Sequence, residues 1–253
     1  MLIIKGKGFK YYKVSLGSYV ITAISGICSV FAMCVLYYAC LTMTSAATAA
    51  ILIYTAPLFV MIMSLIFFKE KLSVQKMTAF VVAIVGCALV SGIASGATVS
   101  LSGIIFGLLS GFSYSVYGIL TSFFMKKNDE PLTFSALSFA FAAVAAVLVC
   151  KPWQVVGIIS EQPSLPSTLL LFVAFSSFTA VIPFVLYTEG VTKLSPSVAS
   201  ILAFSEPVTA AVFGAFLLGQ RLDAFGVLGM LLVIVAIVIL NLKTRKAENV
   251  DES

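Results

Sequence analysis

The chain has 253 residues, 61% of them hydrophobic and 10% charged, with a formal net charge of +5. A soluble domain carries about 25% charged residues; this much apolar surface cannot be hidden in the chain's own core, so the bilayer is its solvent. The positive charge does not suggest nucleic acid, because the basic residues stand singly or in pairs between apolar runs, as in loops that face anionic lipid.

In chain order, the first 14 residues, MLIIKGKGFKYYKV, are basic and lead into a full-length apolar run without a small-residue cleavage site, so no secretory signal is expected there. Runs of about 20 apolar residues are candidate spans. Eight follow, at 15–41, 46–68, 74–93, 101–125, 132–150, 167–190, 196–218 and 223–242. The longest connection, KPWQVVGIISEQPSLPS, is rich in proline and polar residues and places Trp153 as an interface anchor. The end, KTRKAENVDES, reads as a polar, disordered tail. With the N-terminus in the cytoplasm, 13 of the 15 lysines and arginines fall inside, and only Lys151 and Arg221 fall outside. That asymmetry supports the helix count and predicts both termini on the cytoplasmic face; a bacterial plasma membrane is the expected location.

The chain repeats itself. Residues 37–73, YYACLTMTSAATAAILIYTAPLFVMIMSLIFFKEKLS, align without a gap to residues 187–223, YTEGVTKLSPSVASILAFSEPVTAAVFGAFLLGQRLD, at a constant offset of 150. The copies share Tyr37/Tyr187, Thr42/Thr192, Ser45/Ser195, Ala49/Ala199, Pro57/Pro207 and Leu72/Leu222, and a basic residue follows each helix, Lys71 and Arg221. Lys69, Lys71 and Lys76 fall inside while their counterparts Gly219, Arg221 and Gly226 fall outside, so the copies are expected to cross the membrane in opposite directions. An inverted internal repeat is a transporter signal. An inverted tandem repeat also needs an odd number of helices per unit. Residues 1–98 supply three spans and 99–246 supply five, with 247–253 as the tail. The offset therefore leads to the expectation that two helices are missing before Met1; a natural eight-helix chain is the alternative.

Glu206 is the eleventh residue of its span and so near the midplane, where an acid is costly and should face a cavity or partner. Its first-copy counterpart is Ala56. It reads as a protonatable coupling site or as the partner of a cationic substrate group, against a structural acid that bonds freed backbone beside Pro207. Pro57 and Pro207 each remove a helical hydrogen bond at matching positions, and Pro183 adds a break in the preceding helix, so these three are candidate hinges. Gly103, Gly107, Gly111 and Gly118 at helical spacing indicate close helix packing. Tyr114 and Tyr117 beside them carry hydroxyls that want partners at depth, so they are candidate cavity-lining residues. Tyr54, Thr55 and Ser205 stand at matching places just before the breaks and complete the candidate substrate site. Glu189 reads as snorkelling to water or pairing with Lys193.

Other chemistry is poorly supplied. The cysteines, Cys28, Cys34, Cys40, Cys87 and Cys150, form no CxxC pair, and the chain has no histidine. No metal site, cofactor or Ser-His dyad is expected, and Asp129, Asp223 and Asp251 stand in a loop, at a helix end and in the tail, so no intramembrane aspartyl pair is expected. No GxxxxGK[ST] motif is present, which leaves a gradient or exchange as the drive.

The run Tyr187–Leu222, with SPSVAS, SEPV and LLGQRL, and its first-copy counterpart with APLF and FFKEKL, resembles the EamA-type branch of the drug/metabolite transporter superfamily. That family shows a small-residue helix entry, a central Pro or Glu-Pro, and a Gly-Glu-basic-Leu helix end. Here the last motif reads Gly219-Gln220-Arg221-Leu222, with Gln for Glu, and the first copy keeps Glu70 but has Lys69 for Gly. The resemblance covers residues 15–242. It implies an all-α polytopic fold of ten helices in two inverted five-helix units, cytoplasmic termini and a central substrate path. The expected function is secondary transport of small metabolites, by an exporter or exchanger that is not an enzyme. The alternative is a non-transporting subunit or an inactive remnant. The expected partners are a small-molecule substrate and the lipid bilayer, with a homodimer allowed and no nucleic acid.

Overall fold

In the computed structural model, the residues described are 15–90, 100–125, 131–151, 157, 164–218 and 224–242. Among them all regular structure is helical. Eight helices follow in order: α1 (Leu16–Met43), α2 (46–68), α3 (Val74–Val90), α4 (Leu101–Met125), α5 (Pro131–Val149), α6 (165–191), α7 (196–218) and α8 (Ala224–Leu242). They coincide with the eight apolar runs to within a few residues. Five, namely Leu16–Met43, Thr48–Phe68, Leu101–Met125, Pro131–Val149 and Pro166–Val191, are long and apolar enough to cross a membrane. The polytopic all-α class read from composition is the class observed. Trp153, the Gly219–Leu222 turn and the polar tail lie outside the described residues.

The helix starts follow from capping. Ser15 and Ser45 are extended and accept the Ser18 and Thr48 amides at 3.2 and 3.1 Å, which satisfies orphan donors of α1 and α2. At the start of α7, Pro196 occupies the first turn, where its missing N–H costs nothing. The end of α2 is set by Lys69 in the left-handed conformation, φ 54°, with its N–H turned back to the Ser64 carbonyl. Two helices carry a π-helical stretch, Ser25–Phe31 in α1 and Ser177–Val181 in α6. These stretches end at Phe31 and Val181, which are one repeat offset apart.

The described residues form two compact units. The first comprises those within Met1–Ala32 and Leu120–Leu194, and the second those within Met33–Ile119 and Ser195–Ser253. In the first unit, α5 is the centre. The first part of α1 packs on it so closely at Gly26 that a Cβ there would lie 2.3 Å from the Ser138 carbonyl. Ser18, Thr22, Ser25 and Ser29 of α1 and Thr133, Ser135 and Ser138 of α5 are buried. Ser135 donates to Thr188 of α6 at 3.1 Å, and Phe139 meets Phe184 edge-on at 5.3 Å. Lipid is as apolar as leucine, so close backbone approach and hydroxyl bonding, more than burial from water, hold such helices together.

The second unit is built on equivalent helices. α3 and α8 occupy matching places in the repeat, and they pack antiparallel. Gln75, near the start of α3, donates to the Ile239 carbonyl near the end of α8 at 2.5 Å, while Gly86, late in α3, lies against Gly229 and Val233. The second part of α2 packs against the first part of α7. Between them sits an apolar core of Met61, Ala79, Ala83, Cys87, Ile201, Phe204, Val233 and Ala236. α4 presents its glycine stripe to α1 and α2. A Cβ at Gly103 would meet Thr44, one at Gly107 would meet Leu52 and Cys40, and one at Gly111 would meet Thr55. The stripe is a packing surface.

Candidate functional site

Both α2 and α7 are interrupted. The helical segment Ala46–Ile53 stops at Tyr54–Thr55 and resumes as Ala56–Phe68, and Pro196–Leu202 stops at Ala203–Phe204 and resumes as Ser205–Leu218. The cause is chemical. Pro57 has no N–H for the Ile53 carbonyl, and Pro207 has none for Ala203. The chain responds by tightening one turn to three-residue spacing: Thr55 N–H donates to the Leu52 carbonyl at 3.2 Å, Phe204 N–H to Ile201 at 3.1 Å, and Glu206 N–H to Ala203 at 3.0 Å. The helices are tightened at these points without being unwound.

The two breaks meet. The Tyr54 and Phe204 rings lie 6.0 Å apart, and Phe80 adds a second ring 6.1 Å from Phe204. Tyr54 and Phe204 are equivalent positions of the repeat. The copies therefore touch at matching residues within the second unit.

Glu206 stands in the first turn of the second segment of α7, where a negative charge is favoured by the helix dipole. It is within electrostatic range of Tyr54, Tyr37, Tyr114 and Cys87. The described lysines, Lys69, Lys71, Lys76, Lys151 and Lys193, all stand at or beyond helix ends. No ion pair to Glu206 is formed among the described residues. A carboxylate so placed can take up a proton or receive a cation.

The other sequence-derived candidates distribute as follows. Tyr114 is half-buried and Tyr117 fully buried on α4, each within range of the other. Thr55 spends its hydroxyl on the Leu52 carbonyl at 2.6 Å and packs on Gly111. Ser205 is exposed, and its carbonyl accepts the Thr209 hydroxyl at 2.9 Å. Pro183 belongs to the first unit, exposed just after the π-helical stretch of α6. Glu189 is exposed and forms no ion pair with Lys193. Among the described residues no group of three metal-ligating side chains converges.

A second polar cluster was not read from the sequence. Glu70, just past the end of α2, pairs with Lys76 of α3 and accepts the Ser195 and Ser197 hydroxyls at 2.7 and 2.8 Å. Partial burial works to raise the Glu70 pKa, but the hydrogen bonds from Lys76, Ser195 and Ser197 outweigh it and hold the carboxyl below the usual glutamate range. An acid kept inside the otherwise basic run Lys69–Lys76 was the available signal. Tyr37 and Cys87 were also missed as neighbours of Glu206. Their only sequence signal was Tyr37's match to Tyr187.

The EamA-like transporter family matches residues 1–92 and 101–242. The chain belongs to that family. Among relatives, the uncharacterized transporter YwfM of Bacillus subtilis (strain 168) is 24% identical over 68% of this chain and 56% of its own length. An uncharacterized transporter of Clostridium kluyveri is 22% identical over 91% of this chain and 74% of its own. The match thus spans little more than half of the first relative. A solved crystal structure superposes with a TM-score of 0.76 at 17% identity, over 96% of this chain and 82% of that one, which shows the fold. The EamA-like chain is therefore an integral membrane protein with the fold of that family.

Proposed function

We propose that this EamA-like chain is a secondary transporter of small metabolites, an exporter or exchanger that works by alternating access between its two repeat copies. The observation that carries the reading is the meeting of the two proline breaks at Tyr54 and Phe204, with Glu206, which has no ion pair among the described residues, beside them. Breaks at matching positions of the two copies support a binding site there, and an acid without a basic partner among the described residues would supply either a proton carrier or a cation-binding group. In this reading Glu206, Tyr54, Tyr114 and Ser205 line the site, with Pro57 and Pro207 as the points of flexure, while Thr55 commits its hydroxyl to Leu52 and Tyr117 is fully buried. The lysine-rich face is the cytoplasmic one in this reading.

The test is counterflow of a panel of radiolabelled amino acids, sugars and amines into proteoliposomes holding the full chain. At least one class should exchange, and Glu206→Gln should reduce that exchange to the level of empty vesicles. Undiminished exchange in Glu206→Gln would remove the acid from the mechanism, and no counterflow in any class would overturn the transporter reading.

A further inference from the structure

We propose that Glu70, Lys76, Ser195 and Ser197 form a latch that shuts one end of the path leading to Glu206. What the latch gates rests on the transporter reading above; the latch itself rests on geometry. One carboxylate ties three elements together. Glu70 Oε1 pairs with Lys76 at the start of α3 and accepts from Ser195 Oγ at 2.7 Å, and Oε2 accepts from Ser197 Oγ at 2.8 Å at the start of α7. The Glu70 amide is itself anchored to the Ser64 carbonyl at 3.2 Å. Bonds that involve a full charge are the strong class of hydrogen bond.

Behind the latch the second part of α2 packs on the first part of α7, and Tyr54 meets Phe204 just beyond those two segments. Met61, Ile201 and Cys87 between them have no exposed surface. Any route from Glu206 to the Glu70 end along this pair must part these two segments, and the latch holds their outer ends together.

The repeat supplies the second observation. In its register the counterparts of Glu70, Lys76, Ser195 and Ser197 are Gln220, Gly226, Ser45 and Ala47. At these four positions the other copy therefore has no acid, no lysine and one hydroxyl fewer. Two opposed copies that were alike would favour neither state. A Glu–Lys latch without a counterpart at the matching positions shifts the equilibrium toward the state shut at the Glu70 end, by the free energy that its bonds supply.

Cys87 reports on this directly, because it is buried and within electrostatic range of Glu206. The experiment uses the full chain with Cys28, Cys34, Cys40 and Cys150 replaced by alanine, in right-side-out and inside-out vesicles, labelled with a membrane-impermeant maleimide. A separate Lys71→Cys sample, with Cys87 also replaced by alanine, identifies the Glu70 face. Glu70→Gln should raise the rate of Cys87 labelling from that face alone by roughly tenfold, the shift expected for losing a charge-assisted bond. The Ser195→Ala/Ser197→Ala double variant should shift it the same way by less, and it decides alone if Glu70→Gln does not fold. An unchanged rate, or an equal rise from both faces, in variants that keep the parent Tm would overturn the latch. The labelling needs no substrate, so a one-sided rise in a protein without counterflow would sink the transporter reading and leave the latch standing.

Discussion

The break in α2, Tyr54-Thr55-Ala56-Pro57, and the break in α7, Phe204-Ser205-Glu206-Pro207, share a backbone and differ in chemistry. Each is tightened to three-residue spacing ahead of its proline. Yet Ala56 is buried, with 2% of its surface exposed, while Glu206 is exposed and carries a carboxyl group. The comparison separates two things that a Glu-Pro motif fuses. The interruption is a property of proline and is present in both copies whatever stands beside it. The acid is a side-chain addition made to one copy, so it is the better marker of chemistry, and the prolines mark architecture.

Substitutions at the two breaks test that separation. The largest effect is expected for Glu206→Gln, which should abolish counterflow while leaving the helical content and Tm of the parent, as read by circular dichroism in detergent. Ala56→Glu would give the α2 break the chemistry of α7 at a buried position. It should destabilise by about 3 kcal/mol, the scale of a charge placed inside a span, measured by chemical unfolding and relieved at low pH as the carboxyl takes up a proton. Gly111→Val attacks the α2 break alone, since even a Cβ there meets Thr55 Oγ1 at 2.9 Å and the Leu52 carbonyl at 3.1 Å. The expected loss is about 1–3 kcal/mol, typical of overpacking.

Glu70 gives a pH test. Its folded pKa lies below its unfolded value, so its contribution to stability is full above the ordinary glutamate range and is lost as pH falls through the folded pKa. Thermal stability in detergent should decline over that acid window, and Glu70→Gln should flatten that part of the profile. The smallest effect is a gain. Lys69 holds φ 54° where the second copy has Gly219. Lys69→Gly should stabilise by about 1 kcal/mol through relief of left-handed strain, seen as a raised Tm.

Much of this was legible beforehand, for identifiable reasons. Apolar run length reports depth in a bilayer directly, which is why eight runs became eight helices. Pro57 and Pro207 announce their breaks because the missing N–H is local. Opposed directions for α3 and α8 were foreshadowed by Lys76 and Gly226, which carry the charge asymmetry of two faces. Azimuth is different. A helix that is apolar all round gives no periodic signal for the side that meets a neighbour, so Tyr37 and Cys87 could not be placed beside Glu206. Thr55 was read as lining, but its hydroxyl is committed to Leu52, because a tightened turn brings that carbonyl within reach. Ser195 and Ser197 lie 125 and 127 positions from Glu70, and no local pattern joins them. The π-helical stretches depend on packing beyond the helix that carries them, and their own residues carried no warning.

The Tyr54–Phe204 contact has a consequence for charge. Two identical subunits related by an axis through that point can place acids near it only in pairs. Paired carboxylates at such close quarters suppress one another's ionisation. A single polypeptide that carries both halves is free of that constraint. It can keep one carboxyl group at position 206 and leave the equivalent position, 56, as alanine, and so place a single acid where a symmetric assembly could place none or two.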